Sequence, residues 1–495
     1  MKRKMRKLLQ WRIEPVWYLG MTILVLLLLL YPLLRLAGYS VPWYDDYNYG
    51  RFAKTAMRSG ESLGNALKGV AECVRISWYA WQGTYGSIIF MVLTPAIWGE
   101  EFYFWGPVFL ILLLTISVCV FVYTLLRTVV GTEANASFGI GIVTAILTLE
   151  MLHTAQAGIY WYNGGVHYVG MHSVMLLALA AALRSIYTEK TVVRIALTAV
   201  GILLAVLTAG GNFVTALQGI LFLGTMTVLG VAKRGKRAAG AALMLLAYAA
   251  GFAVNVSAPG NAHRARSYVG WGMSPMRAIL TSFKEGVLHA WKFTGFMTLV
   301  VILFALPTIL YAVRRSDFHF KTPGLVSAWS FGVYSSGFTP SLYSMGNPGL
   351  GRTLNAVKLT WQILLVLNVI YWCGFLCKRQ IKPELGERMC RWWYYPMLAV
   401  CVLLCFHGEK NPEGSFCSYG AWYEIHSGLA YNFYQEYLER VEILKGDEED
   451  VVLTPYHWMP WMICMGDLSE NPKDESNRAL ADWYDKESVR VEPED

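Results

Sequence analysis

Charge is scarce in this chain: of 495 residues only 15% are Asp, Glu, Lys or Arg, while 55% are hydrophobic. That balance is far from the surface chemistry of a soluble globule and excludes a soluble enzyme held by a single anchor. Cysteine pattern is lacking too. The nine thiols are scattered without disulfide or zinc spacing, and Cys373 and Cys377, at the end of an apolar run, read as small buried side chains. There is no internal repeat and no low-complexity tract. A cleaved leader is not expected either. The start, MKRKMRKLLQWR, runs into an apolar stretch over 17–36 that is longer than a signal core, with Arg35 near its end and no small-x-small site after it. An uncleaved first helix is expected.

What is present is a series of apolar runs of about 20 residues, the length that crosses a hydrocarbon core. They predict eleven spans, at 17–36, 104–126, 137–157, 168–187, 193–210, 213–232, 239–256, 293–313, 325–343, 356–376 and 393–406. Only helices satisfy their own backbone in lipid at these lengths, so the expected fold is an all-α polytopic membrane bundle. Lys2 to Arg12, Lys190 and Arg194, Lys233 to Arg237, Arg314 to Lys321 and Lys378 to Arg391 fall on one side, and the short opposite loops at 157–167 and 210–213 carry no base. The positive-inside rule then gives a multi-pass protein of the cell membrane with a cytoplasmic N-terminus and an extracytoplasmic C-terminal tail.

The net charge of +8 conceals an asymmetry. Residues 407–495 hold 20 acids and 7 bases, whereas residues 1–406 hold 14 acids and 35 bases. The basic excess belongs to orientation and to a site, and nucleic acid is not an expected partner. The organisation expected is a transmembrane bundle over 1–406, with a long first outer loop at 38–103 and a second at 257–292, followed by an acidic region over 407–495. Within the first loop, Leu63, Leu67, Val70 and Val74 recur at helical spacing between Glu61, Asn65, Lys68, Glu72 and Arg75, the pattern of an interfacial helix. SIIFMVLTPAIWG, 87–99, is apolar but short, contains Pro95 and has no basic flank, so it is expected to be re-entrant or interfacial.

Chemistry is concentrated in the loops of one side. VPWYDDYNYG sets Asp45 and Asp46 among Trp43, Tyr44, Tyr47 and Tyr49. A carboxylate partly desolvated by such rings is a candidate general base, and a solvated turn flanked by interfacial aromatics is the other reading. Neighbours in an extended segment point apart, so the two acids are expected to differ in role. NVSAPGNAHRARSYVG brings Asn261, His263, Arg264 and Arg266 onto a Pro-Gly turn, suited to a phosphate or to anionic headgroups. GNPGLGRTLNAVK adds Arg352 and Lys358. Glu150 is the one acid inside the eleven spans, with His153 a helical step away; it marks either a functional site or a brace of the bundle. YWYNGGVHYVGMH contributes Tyr160, Trp161, Tyr162, Asn163, His167 and Tyr168, which suit a sugar ring or an aromatic belt.

Taken in order, these residues resemble the C-type, lipid-phosphate-sugar-dependent glycosyltransferases, and more closely an uncharacterised bacterial group of them. The motifs are Asp45-Asp46-Tyr47, Trp81-Gln82-Gly83-Thr84-Tyr85 and Pro259-Gly260-Asn261-Ala262-His263-Arg264, with a tail pattern running through Asn477 to Trp483-Tyr484. Thr84 stands where the group has Arg, which removes one phosphate contact. The resemblance implies a sugar moved, with inversion, from a polyprenyl-phosphate donor to a cell-envelope glycan or lipid acceptor. It implies Asp45 or Asp46 as base, with Asp45 favoured, and Arg264, Arg352 and Arg266 on the phosphate. Asn261, His263, Glu150, His153, His167, Trp81 and Tyr85 are the other substrate-binding candidates. No cofactor is expected, although Asp45, Glu150 and His153 form a conceivable set for a divalent metal. Two other classes fit the sequence: a transporter or flippase of a lipid-linked saccharide, and a non-catalytic protein of polysaccharide assembly.

Overall fold

The computed structural model describes residues 15–267, 272–379 and 416–493. The predicted eleventh span, 393–406, and the basic N-terminal stretch lie outside the described residues. The chain is all-α apart from one small sheet. It begins with α1 (Pro15–Ala37), α2 (Asp45–Met57), α3 (Leu63–Ala80), α4 (Tyr85–Val92), α5 (Trp105–Leu125) and α6 (Ala134–Glu150). After short helical pieces over 156–170 come α7 (Met171–Tyr187), α8 (Thr191–Ala209), α9 (Phe213–Arg234), α10 (Ala239–Ser257), α11 (Pro259–Ser267) and α12 (Pro275–Phe293). The bundle continues with α13 (Phe296–Arg315), α14 (Pro323–Ser336), α15 (Thr339–Met345) and α16 (Gly351–Lys378).

Seven helical segments among the described residues are long and apolar enough to cross a membrane, one of them comprising both α9 and α10. Their outer faces are greasy: on α1, Leu24, Leu27, Leu28 and Tyr31 are all more than half exposed. In water that surface would be costly, and against acyl chains it is neutral. A common core fills the interior, where Leu114, Val118, Ile140, Leu147, Met175, Leu179, Ile309 and Leu359 are buried together.

Three differences from the expected pattern have local causes, while segment 87–99 is as short as expected. α6 ends at Glu150 rather than 157, because Asn355 Oδ1 accepts the His153 and Thr154 N–H groups at 2.8 and 3.1 Å and redirects the chain. The ninth run is broken between α14 and α15, just before Pro340, which cannot continue the ladder. Segment 87–99 yields an eight-residue α4 and a short 3-10 turn, Pro95–Trp98, about 12 Å of helix against a core of about 30 Å. The loop predicted over 257–292 is instead two helices, and α12 is amphipathic: Met276, Leu280, Phe283, Val287 and Trp291 are exposed along one stripe.

The interfacial helix α3 buries Ala66, Gly69, Val70, Cys73 and Ser77 and leaves Leu63 and Leu67 exposed. Its buried stripe is therefore the small-residue side. A Cβ on Gly69 would lie 2.3 Å from the Phe52 carbonyl oxygen, so α2 and α3 cross with backbones nearly touching.

The C-terminal region folds as α17 (Cys417–His426), α18 (Leu429–Lys445), β1 (Asp450–Leu453), α19 (Glu475–Tyr484) and β2 (Ser488–Val491). β1 and β2 pair in parallel, with Asp450 opposite Ser488. α19 lies along α2 with matching order. Tyr44 meets Glu475, Arg51 pairs with Asp482, the Lys54 ammonium donates to the Trp483 carbonyl, and Arg58 reaches Asp485 at 2.5 Å. Trp483 is the apolar anchor, 3% exposed, with its ring edge-on to Tyr47 and under the Lys54 ammonium.

Candidate active site

Asp45 and Asp46 open α2, where carboxylates complement the unpaired N–H groups of a first turn. Tyr44, just before them, has a positive φ (20°, with ψ −80°), a conformation costing about 1–3 kcal/mol for a non-glycine residue. On a helix, consecutive side chains diverge, and the two acids separate into different environments.

Asp46 is fully buried. Its Oδ2 accepts from the Trp43 N–H at 3.0 Å and the Tyr103 hydroxyl at 2.8 Å, and its Oδ1 accepts from the Asn163 N–H at 3.0 Å and the Asn163 amide at 2.8 Å. Burial raises this carboxyl to about 7 even against those four donors. Its oxygens are occupied, and they tie α2 to the 156–170 segment.

Asp45 is half-buried, and no hydrogen bond among the described residues ends on its carboxylate. Burial pushes it up to about 6, with Arg352 and Arg264 pulling down and Glu475 pushing up. A carboxylate with free lone pairs and a proton affinity near the working range suits general-base chemistry.

The two arginines are held alike, each with its guanidinium over an indole. Arg264 lies 5.0 Å from the Trp81 ring and donates to Gln82 Oε1 at 2.6 Å; Arg352 lies 5.1 Å from the Trp161 ring. Gln82 in turn reaches the Tyr49 hydroxyl at 3.3 Å. Both arginines also act on His167, whose Nδ1 meets the Ser87 hydroxyl at 2.8 Å. Asp45, Arg264, Arg352, His167 and Trp81 thus gather at one end of the bundle from five separate stretches of chain. Two paired-donor cations beside one unbonded carboxylate can hold a phosphate and take up a proton next to it.

Other predicted site residues sit elsewhere or brace the site. The Asn261 side chain accepts from the Gly83 N–H at 3.1 Å and donates to the Asn255 carbonyl at 2.7 Å, so it secures the turn that carries Arg264. A Cβ on Gly83 would lie 2.1 Å from that same carbonyl oxygen, which explains glycine there. Tyr85 donates to the Val206 carbonyl at 3.1 Å and lies against Gly210, inside the bundle. His263 and Arg266 are exposed on α11. His153 rests edge-on against Phe293. Glu150 is buried and its Oε2 accepts from the Ser418 N–H and hydroxyl, both at 2.9 Å, so it fastens the C-terminal region. The conceivable metal set of Asp45, Glu150 and His153 is not assembled, since Glu150 is committed to Ser418 and no three His, Cys, Asp or Glu side chains cluster among the described residues. Thr84 is buried with its hydroxyl unpartnered.

Sequence reasoning missed Glu475, whose Oε2 accepts from the Tyr44 hydroxyl at 2.6 Å. In a region with 20 acids nothing marked it. It also left Gln82 without a role, although it lies in the quoted motif. No protein-family model, curated protein or solved structure matches the chain.

Proposed function

We propose that this protein is a membrane glycosyltransferase that moves a sugar from a polyprenyl-phosphate donor to a cell-envelope glycan or lipid acceptor, with inversion. The observation carrying this reading is the meeting of Asp45 with Arg264 and Arg352, in which Asp45 alone of the two acids keeps its lone pairs free. In the proposed reaction an acceptor hydroxyl attacks the anomeric carbon and gives its proton to Asp45. The bond from the anomeric carbon to the phosphate oxygen breaks, and its electron pair leaves with the phosphate, stabilised by the two guanidinium groups. The proposed topology has eleven spans, with the N-terminus cytoplasmic and the site and acidic region extracytoplasmic. Support for that arrangement comes from the one-sided Lys and Arg distribution.

The test is sugar transfer by purified, folded Asp45→Asn protein from a polyprenyl-phosphate-sugar donor. Turnover is expected to fall by roughly 10²–10⁴ with donor binding retained. A wild-type rate would refute the assignment of the base.

A further inference from the structure

Along the contact between α2 and α19, the acids of α19 and of the residue after it find bases. Asp482 pairs with Arg51 and Asp485 with Arg58. Glu475 breaks the pattern. One end of the same register brings it to Tyr44 and into the field of Asp45, an acid facing an acid. A helix N-terminus favours a glutamate in its first turn, which accounts for the residue type but not for its 2.6 Å bond to the hydroxyl of the one residue that precedes Asp45. That residue also carries one of the positive-φ conformations of the chain. Placing like charge beside a half-buried carboxylate costs stability, and such costs concentrate where a site requires them.

We propose that Glu475, from the C-terminal region, is a positioning residue of the Asp45 site: its carboxylate holds the Tyr44 hydroxyl, and its charge stands beside Asp45 against the two arginines. The role rests on the reading of Asp45 as a general base. Charged and titratable groups around Asp45 come from every side: Arg352 of α16, Arg264 of α11, Glu475 of α19, Tyr44 and Tyr49 of its own segment, with Arg478 next to Tyr44 and His167 next to the arginines. Left alone, the arginines would make Asp45 a weaker base by favouring its ionised form. Glu475 offsets them. The C-terminal region then does more than cover the first loop, because it adjusts a proton affinity that burial has already raised.

The test reads Asp45 directly. pH-difference infrared spectroscopy of the detergent-solubilised full chain, with Asp45→Asn subtracted, follows the Asp45 carboxyl C=O band through its titration. Glu475→Gln keeps an acceptor for the Tyr44 hydroxyl and removes the charge. Its midpoint is expected below that of wild type, while Arg352→Gln moves the midpoint the other way. An unchanged midpoint in Glu475→Gln would overturn the proposal. Turnover is measured in parallel: Glu475→Ala, which also frees Tyr44, is expected to lower kcat with donor KM unchanged, and Glu475→Gln to recover part of the rate, since Tyr44 is held again but the charge is still missing. Equal rates in Glu475→Ala and wild type would overturn the positioning role. A wild-type rate in Asp45→Asn would instead end the base reading, and the infrared midpoints would still decide whether Glu475 acts on Asp45.

Discussion

Replacing each of the adjacent acids by asparagine should have opposite consequences, and the hydrogen bonds give the size. In Asp46→Asn one carboxylate oxygen becomes an NH2 group. Oδ1 can still serve both Asn163 donors, but the new NH2 then faces the Trp43 N–H and the Tyr103 hydroxyl. Tyr103 can turn its hydrogen to the Tyr160 carbonyl, 3.4 Å away, and accept from the new NH2 on its remaining lone pair, so only the Trp43 N–H loses its partner. One buried donor is orphaned, costing about 1–3 kcal/mol, and relief of the buried charge returns part of that, leaving a loss of roughly 1–2 kcal/mol. Asp45→Asn orphans nothing. Burial raises Asp45 from 3.8 to about 6, so the folded state binds its proton more tightly than the unfolded chain does. Its contribution to stability is complete below 3.8 and disappears as pH rises through about 6, and above that its ionisation opposes folding. At pH 8 Asp45→Asn should therefore unfold at or above the wild-type temperature in detergent, by scanning fluorimetry, and Asp46→Asn clearly below it. Equal midpoints for Asp46→Asn and wild type, or a lower one for Asp45→Asn than for Asp46→Asn, would refute the division of labour.

Loss of either guanidinium, in Arg264→Gln or Arg352→Gln, should weaken binding of undecaprenyl phosphate in detergent by about 10–100-fold, the worth of one charge-assisted contact; titration by microscale thermophoresis checks this. For the wild-type enzyme, kcat/KM should be flat above about pH 6 and fall roughly tenfold per unit below it, because the base must be ionised. In Arg352→Gln that limb should move to higher pH, since the arginine that favours the carboxylate is gone. Trp483→Ala should cost about 3–5 kcal/mol and expose the C-terminal region to limited proteolysis, whereas Arg58→Ala, at a solvent-exposed ion pair, should leave the cleavage pattern unchanged.

Helices were legible wherever an apolar run was uninterrupted, as at 213–232 and 239–256, because lipid-facing and core-facing positions are both apolar and hydropathy alone marks them. α12 was missed for the converse reason. Arg277, Lys284, Glu285 and Lys292 dilute its hydropathy, and only the stripe from Met276 to Trp291 carries the helical period. In the site, Asp45, Arg264 and Arg352 were legible because each lies in a loop on one predicted side, so parity of the spans brought them to one face. The different environments of Asp45 and Asp46 followed from the divergence of neighbouring side chains, though on a helix rather than an extended segment. Which acid is buried was not legible, since it depends on Tyr103 and Asn163, far away in sequence. For Glu150 the partner was not legible: Ser418, a residue with no distinguishing mark, holds Oε2, while Oε1 is buried without a partner.

The bond between Tyr44 and Glu475 joins residues 431 positions apart. During synthesis, α2 and its neighbours α3 and α4 emerge long before α19 has been made, so for most of the chain's elongation the flank of Asp45 has no cover. The arginine sites on α11 and α16 are also complete earlier than α19. A translating chain therefore carries a phosphate-binding face before it carries an adjusted base, and its competence is expected to appear abruptly, when α19 settles on α2. Under the proposed function, pulse-labelled chains arrested before residue 475 should bind the lipid phosphate yet turn nothing over, which would make the docking of α19 a timer for activity.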